Sequence, residues 1–435
     1  MKYSPAKTLI LFFIGLIAVG MVLLSLPATS NSVVGHSFFN NLFTCVSAVC
    51  VTGLSIVNIG EYYSKFGQII ILLLVQISGM GYMFVSTVLT LLLGKIALKD
   101  RRIMQEMFEV SSFNGLKKLL LKAVLFVLGI EFIGAVSLTV VFLRDFSFLK
   151  SVYLGIFYSV MAFCNAGFSV FNNSMTSFSQ NPIVLYIISI LILLGGLGFF
   201  VIVDIYDYYK EKRLHLSIHT KVVLFMSLII TVCAFIVFLF SKAAGGHGIF
   251  YLINNSFFEA ISSRTAGFCS VPVNLFNEFT ESVIILLMSI GAAPGSTAGG
   301  VKVTTLALVF IFVKSVLVGD EDYVLFKRSI PFDLIKKALV IFIIFFALIF
   351  LFSAVVILHE DNLRPIAVVF EVVSALATVG MSLGITEELS LASKIYIIIA
   401  MLVGRIGILT LFILMLEPGC KKKNVKYPEG RILVG

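Results

Sequence analysis

The stretch FEVVSALATVGMS, residues 370–382, has recognisable variants at three earlier places in the chain. They are FTCVSAVCVTGLS at 43–55, FYSVMAFCNAGFS at 157–169 and FFEAISSRTAGFC at 257–269. In every copy a phenylalanine precedes a glycine by ten residues, and a small residue precedes the same glycine by five. The spacings between these glycines are 114, 100 and 113 residues. Self-similarity at a regular period indicates a duplicated structural unit, centred here on Gly53, Gly167, Gly267 and Gly380.

The composition places this repeated unit in a membrane protein. Of the 435 residues, 59% are hydrophobic and only 13% are charged, which is more apolar surface than a soluble domain can bury. A helix crosses the hydrocarbon core of a bilayer with about 20 apolar residues. We expect the first apolar segment to be a true span rather than a signal peptide. Six of the eight predicted spans are 8–26, 66–94, 180–203, 222–241, 338–358 and 395–416. The other two, 119–143 and 282–313, contain interruptions.

Basic residues are concentrated in alternate connections between the predicted spans. Seven Lys and Arg lie in 95–122, four in 210–221, five in 314–337 and five in 421–431. Cytoplasmic loops have an excess of Lys and Arg, so we predict that these connections and both termini are cytoplasmic. The net charge of +9 is then a topology signal, and no nucleic-acid partner is expected. Acidic residues dominate the opposite side, at Glu61, Asp145, Glu278, Glu281, Glu360, Asp361, Glu387 and Glu388.

Each repeat has the order span, short apolar segment, glycine turn and second span. A segment of roughly ten to fourteen residues is too short to cross a bilayer and is typical of a re-entrant or buried helix. Non-helical backbone at membrane depth persists only inside protein or beside a water-filled cavity, so we expect the turns to meet on one axis. The predicted fold is an all-α membrane protein with four fused span–pore helix–span repeats around a pseudo-fourfold central pore. The repeats are 1–95, 96–210, 211–320 and 321–420, and a cytoplasmic tail follows at 421–435.

Turns that meet on one axis would form a ring of backbone carbonyl groups. Such a ring can replace the hydration shell of a cation, and glycine permits the backbone angles that aim carbonyl groups inward. The partly negative C-termini of the short helices would face the same point. Close helix packing explains a single glycine in a membrane protein equally well. Four glycines in register favour a cation pore over packing alone.

Further motifs extend this pattern to a known family. The TVG at 378–380 is similar to the filter signature of potassium channels, and GAAPGSTAGGVK at 291–302 is a glycine-rich interruption of a span. Arg405 lies in LVGRIGILT near the middle of the last predicted span, and the chain ends in KYPEGRILVG. In this combination the chain resembles the Trk/Ktr/HKT superfamily of potassium transporters. It is most similar to the bacterial Ktr membrane subunit.

The resemblance implies potassium uptake across the bacterial plasma membrane through a channel-like selectivity filter, and no enzyme activity. It also implies a homodimer with one pore per protomer, seated on a cytosolic ring of nucleotide-binding regulatory subunits that bind ATP or ADP. Uptake is often stimulated by sodium in this superfamily. Only the fourth turn is TVG, so strict selectivity for potassium is not implied, and leakage of sodium is compatible with the sequence. The filter residues implied by the resemblance are Val51, Thr52, Gly53, Asn165, Ala166, Gly167, Thr265, Ala266, Gly267, Thr378, Val379 and Gly380.

The resemblance further implies a gate in the segment 291–300. Proline and glycine inside a span interrupt its hydrogen-bond ladder, so we predict an unwound loop that blocks the cytoplasmic half of the pore. A static kink is the alternative. Arg405 would add an electrostatic barrier inside the filter, with a structural ion pair as the alternative. The predicted gate residues are Gly291, Pro294, Gly295, Ser296, Thr297, Ala298, Gly299, Gly300 and Arg405.

Several other charged residues lie inside apolar segments. Glu131 either pairs with a buried base or binds a coupling ion, and the second alternative would make the protein a secondary active symporter of potassium with sodium or protons. Glu259 and Glu371 are expected early in their short helices, because acidic side chains are favourable at helix N-termini. Arg264 is expected to brace the third turn from behind. The sequence has no H-E-x-x-H motif that would favour an enzyme.

Overall fold

Helices make up nearly all of the computed structural model, which describes residues 5–31, 37–93, 113–210, 215–241, 248–320 and 322–407. The α-helices are α1 (Pro5–Leu24), α2 (Phe38–Cys50), α3 (Ile59–Tyr62), α4 (Lys65–Leu93), α5 (Phe113–Phe142), α6 (Phe148–Cys164), α7 (Pro182–Leu197), α8 (Phe199–Lys210), α9 (Ile218–Phe240), α10 (Ile249–Thr265), α11 (Glu278–Ser289), α12 (Val303–Val318), α13 (Phe332–Ile357), α14 (Pro365–Leu376) and α15 (Leu391–Ile406). An antiparallel hairpin of β1 (Val324–Leu325) and β2 (Arg328–Ser329) lies between α12 and α13. The predicted tail at 421–435, the boundary at 95/96 and most of the basic connection 95–122 lie outside the described residues.

Apolar side chains cover much of the outer surface of the described residues. Phe240 is 84% exposed and Phe350 is 78% exposed, as expected for helices that face lipid rather than water. Together, α7 and α8 are long and apolar enough to form one bent membrane span. Within the described ranges, the straight helical segments that are long and apolar enough to cross a membrane are Leu121–Phe142, Ile218–Phe240 and Phe332–Ile357.

Glycines with positive φ interrupt the spans that follow the short helices. Gly81 (φ 66°) breaks α4, and Gly198 (φ 82°) separates α7 from α8, which meet at 92°. The predicted spans at 66–94 and 180–203 are therefore each broken at a glycine and are not single straight helices. L-residues rarely adopt these φ values, whereas glycine does so freely, so one glycine redirects the chain. For the same reason the eight predicted spans overstate the number of continuous membrane-length helices in the described residues.

Each of the four glycine turns follows a short helix, and we call α2, α6, α10 and α14 the four short helices. Their C-terminal halves are buried among the surrounding spans. Phe43, Phe157 and Phe370 have no exposed surface. In the third copy Phe258 is the fully buried residue, whereas Phe257 is partly exposed. The sequence alignment of Phe257 with the other three phenylalanines is thus wrong by one residue.

The helix that follows each of the first three turns packs against the short helix of the next repeat. In this way α4 contacts α6, α7 contacts α10, and α11 contacts α14. The order closes on itself because α15, which follows the fourth turn, packs against α2. The described helices therefore form a closed circle of packing contacts in chain order.

Replacing Phe258 by alanine should destabilise the protein by about 3 kcal/mol, because truncation of a buried phenylalanine removes packing contacts and leaves a cavity. The matched control is Phe257→Ala, since that side chain is partly exposed and its loss should cost clearly less. Unfolding of the purified protein in one detergent measures both changes. Equal losses of stability in the two variants would contradict the register described above.

Candidate functional site

The chain leaves three of the four short helices through a left-handed residue that is not glycine. These residues are Val51 (φ 55°), Asn165 (φ 57°) and Thr378 (φ 51°). A sparsely populated backbone conformation of this kind costs of order 1–3 kcal/mol, and such strain is concentrated at functional sites. In each case the next N–H group bonds to a carbonyl oxygen five residues earlier, in the pairs Thr52 with Ser47 (2.8 Å), Ala166 with Met161 (2.9 Å) and Val379 with Ser374 (2.8 Å).

The third turn has a different backbone. Thr265 is still the last helical residue of α10, Ala266 keeps a right-handed conformation at φ −109°, and Gly267 has φ 74°. Phe258 precedes Gly267 by nine residues, whereas the buried phenylalanine of each other copy precedes its glycine by ten. This one-residue shortening explains why the third copy has no left-handed residue before its glycine and why its buried phenylalanine is displaced.

The four turns lie against one another in chain order. Each central glycine abuts the carbonyl oxygen of the residue that precedes the next glycine, so there is no room for a Cβ atom. At Gly167 such an atom would lie 2.8 Å from this oxygen, and at the other three glycines it would be closer. We call this closed arrangement the turn ring. Its pairs are Gly53 with Ala166, Gly167 with Ala266, Gly267 with Val379 and Gly380 with Thr52.

Serine hydroxyl groups stabilise the first, third and fourth turns through hydrogen bonds to the backbone. The Ser47 hydroxyl accepts a hydrogen bond from the Gly53 N–H group at 3.1 Å, and Ser374 accepts one from Gly380 at 3.0 Å. In the third turn the Ser262 hydroxyl donates to a carbonyl oxygen, that of Phe268, at 2.6 Å. The sequence analysis missed these serines. Serine six residues before both Gly53 and Gly380 was the signal that could have identified two of them.

Two buried carboxyl groups accept hydrogen bonds from the segments that follow the third and fourth turns. Glu259 and Glu371 are each 1% exposed, and neither lies in the first turn of its helix. The prediction that they lie early in their helices is therefore wrong. Their hydrogen-bond partners are not the N-terminal N–H groups of these helices but groups in the chain beyond the glycine. The bonded groups are Ser270 N–H (2.6 Å) and Val271 N–H (3.2 Å) for Glu259, and the hydroxyls of Ser382 and Thr386 for Glu371.

An irregular loop at 290–302 joins α11 to α12 and contacts the turn ring. The Asn165 side-chain amide of the second turn donates to the Thr297 hydroxyl at 2.8 Å and accepts from the Thr265 hydroxyl at 3.0 Å. Gly299 lies so close to Ala377 and Thr378, just before the fourth central glycine, that a Cβ atom would not fit. One polar chain of hydrogen bonds therefore connects the loop with the second and third turns.

Two cationic side chains hold carbonyl oxygens of this loop. Arg405 donates to Thr297 O and to Ser78 O, each at 2.6 Å, and Lys302 donates to Ala298 O at 2.5 Å. Arg405 lies in the last turn of α15 rather than in mid-helix, because the helix ends at a glycine with φ 91°. Among the described residues no carboxylate forms a salt bridge with Arg405. Lys302 was not among the gate residues predicted from the sequence.

Arg264 is buried next to the third turn, and Glu131 is buried near Cys164, which precedes the second turn. Arg264 donates to Gly291 O at 3.3 Å and to the Thr231 hydroxyl at 3.2 Å, so it joins the third short helix to the start of the loop. Glu131 is 6% exposed and accepts from the Gln76 amide at 2.9 Å. In the described part of the chain its partner is thus a neutral amide and not the buried base that was one of the two alternatives.

The arrangement is that of a helical membrane protein in which four backbone turns meet at one place. The family model of the TrkH cation transport proteins matches residues 7–419. The potassium/sodium uptake protein NtpJ of Enterococcus hirae is 34% identical to this chain, and the match covers 100% of this chain and 98% of that protein. Protein B of the Ktr potassium uptake system of Bacillus subtilis is also 34% identical, covering 100% and 97%.

A solved structure shows the same fold. The crystal structure of the potassium transporter TrkH from Vibrio parahaemolyticus matches with a TM-score of 0.73 and 19% identity, covering 96% of this chain and 86% of that chain. The chain described here belongs to the TrkH family of cation transport proteins. Its relatives are membrane transporters and not enzymes.

Replacing Gly380 by alanine should destabilise the protein by about 2 kcal/mol or more, because φ is +94° and the added Cβ atom meets backbone of the first turn. The control is Gly15→Ala in α1, where a Cβ atom has nothing within 4 Å and a small gain in helix propensity is expected. Thermal unfolding in detergent measures both. A neutral result at Gly380 would contradict the close approach of the first and fourth turns.

Proposed function

We propose that this protein takes up potassium through the turn ring, which acts as its selectivity filter. The contact of each central glycine with the carbonyl oxygen preceding the next one is the main support, because carbonyl oxygens around one point can replace the hydration shell of a cation. The names of the relatives, which are potassium/sodium and potassium uptake proteins, favour potassium. In this proposal the filter consists of 51–53, 165–167, 265–267 and 378–380.

The groups around the turn ring are favourable for the passage of a cation. The four short helices end at the turns, so their partly negative C-termini lie beside the proposed filter. The left-handed residues and the serine hydroxyls fix the backbone before an ion arrives, which lowers the cost of reorganisation on binding. The membrane potential would drive the entry of potassium through such a filter without a second ion.

The loop at 290–302 is the proposed gate of this pathway. The contact of Thr297 with the second turn and the contact of Gly299 with the fourth turn would keep it beneath the filter. Arg405 would both anchor the loop, through its bond to Thr297 O, and oppose passing cations by its charge. Opening would then require that the Asn165–Thr297 and Arg405–Thr297 bonds break together.

The remaining parts of the proposal rest on the resemblance to the bacterial Ktr membrane subunit. The protein would act as a homodimer in the plasma membrane, with both termini in the cytoplasm, and a cytosolic ring of ATP- or ADP-binding subunits would control the loop. Sodium would stimulate uptake, and the name of the potassium/sodium uptake protein of Enterococcus hirae also connects sodium with this group of proteins. Co-purification with the nucleotide-binding ring in ATP and in ADP tests this assembly directly.

Coupled symport is the second candidate function, and the buried Glu131 is the observation that favours it. Its carboxyl group lies within reach of Gln76 and of the Cys164 thiol, which directly precedes the second turn. A carboxyl group at this depth is costly and is typical of ion or proton pathways. Reversal potentials of the potassium current under imposed sodium and proton gradients separate the candidates, because only a symporter shifts with the second ion.

Substituting serine for Gly380 should reduce rubidium flux into proteoliposomes at least tenfold, since the side chain would meet the first turn at the proposed filter. Growth of potassium-uptake-deficient cells at low potassium should fail in parallel. Gly15→Ala is the matched control and should retain the flux of the parent protein. Normal potassium-selective flux in folded Gly380→Ser protein would exclude the turn ring as the ion path.

Thr297→Val should raise the basal flux severalfold in the absence of any cytosolic partner, because it removes the hydrogen bond to Asn165 and keeps the shape of the side chain. The control is Ser296→Ala, whose hydroxyl donates to Ala293 O inside the loop. Rubidium flux into proteoliposomes measures both variants. An unchanged or lower flux with Thr297→Val would argue for a static kink rather than a gate.

A further inference from the structure

The bend between α7 and α8 holds the loop at 290–302 by backbone hydrogen bonds. The Ala293 N–H group of the loop donates to Gly196 O, at the end of α7, over 3.0 Å. The Phe199 N–H group, at the start of α8, donates to Gly295 O of the loop over 3.2 Å. The loop is therefore seated on the junction of two helices as well as on the turn ring.

These bonds compensate for the break between the two helices. The last carbonyl groups and the first N–H groups of a helix have no partner inside it, and at membrane depth the protein itself must supply one. In a continuous helix the Phe199 N–H group would bond to Gly195 O, four residues earlier. Here Phe199 bonds to the loop, and Gly195 O accepts from the hydroxyl and N–H groups of Thr297 at 3.4 and 3.5 Å. The bend and the seated loop thus depend on each other.

A side-chain ion pair ties the far end of α8 to α5. The Lys122 ammonium group on α5 lies 2.6 Å from the Asp207 carboxylate on α8, about two turns beyond the bend. The two side chains are 24% and 13% exposed, so water and salt screen this pair less than one on an open surface. The ring of Tyr206 on α8 packs edge-on against Phe126 of α5, with 5.0 Å between the ring centroids. These contacts set the direction in which α8 leaves the bend.

We propose that Lys122 and Asp207 are positioning residues of the proposed gate. Their ion pair keeps α8 turned away from the line of α7, the bend keeps the helix-end groups available, and these groups keep the loop beneath the turn ring. The inference rests on the proposed role of the loop as a gate. It adds that release of α8 opens the loop, because Phe199 N–H and Gly195 O can then bond to each other as in a continuous helix.

Another salt bridge in the described residues provides a matched control. Lys336 and Asp333 lie 3.8 Å apart on the single helix α13, and their side chains are 59% and 88% exposed. Such a pair contributes little to stability and connects no two elements. Lys336→Met therefore removes one lysine charge, as Lys122→Met does, without releasing α8.

The first measurement is hydrogen–deuterium exchange of the purified full-length protein in one detergent. In Lys122→Met and in Asp207→Asn we expect the amides of 195–199 and 293–297 to exchange severalfold faster than in the parent protein, because the bonds between these segments open more often. Exchange in the turn ring should stay as it is in the parent protein. The variant Lys336→Met should match the parent protein throughout.

The second measurement is rubidium flux into proteoliposomes that contain no cytosolic partner. The flux should rise severalfold in each of the two single variants. It should fall back towards the parent value when the charges are exchanged, in Lys122→Asp combined with Asp207→Lys, because the exchanged pair joins the same two helices. A general loss of stability would not be reversed by this exchange.

The outcomes separate this inference from the proposed gate. Unchanged amide exchange and unchanged flux in both single variants, together with raised flux in Thr297→Val, would overturn the inference and leave the gate intact. Faster exchange without raised flux would support the hold of α8 on the loop and contradict the role of the loop as a gate. If Lys122→Met does not fold, Asp207→Asn decides the matter by the same measurements.

Discussion

The close approach of four backbone turns is the constraint on which the rest of this structure depends. At each central glycine the neighbouring carbonyl oxygen occupies the space of a Cβ atom, so only glycine permits the turns to meet. Backbone groups at membrane depth must find partners within the protein. Carbonyl oxygens of the short helices and two serine hydroxyls accept hydrogen bonds from the N–H groups of the turns and so provide those partners. The strained conformations of Val51 and Thr378 persist because the buried short helices on one side and the neighbouring turns on the other hold them.

The four turns are similar in position but differ in the groups that support them. Tyr158 places its hydroxyl against Ser169 and Val170 in the second repeat, where the third and fourth repeats use carboxylates. The third turn is one residue shorter and has a small cavity beside Glu259. The loop at 290–302 touches the ring from one side. These differences make the ring chemically asymmetric, although its backbone contacts close in chain order.

Repeated patterns in the sequence predicted the parts of the structure that recur. The four short helices, their glycines and the glycine-rich interruption at 291–300 could be identified because each follows from spacing or from residues that break helices. The missing residue in the third turn could not, since Phe257 has the ten-residue spacing of the other copies and only the full burial of Phe258 shows the shift. The sharp bend at Gly198 was also missed, because a glycine in an apolar helix is compatible with close packing as well as with a break. The partners of Arg405 are backbone carbonyls from distant segments, which no residue pattern specifies.

The most direct test of the central claim is a density map of the protein in a membrane mimetic with thallium in place of potassium. Thallium is electron-rich and substitutes for potassium at oxygen sites. The account predicts strong density on the axis of the turn ring, among the carbonyl oxygens of Thr52, Ala166, Ala266 and Val379. Thallium density found only away from the ring, in protein that transports rubidium, would contradict it.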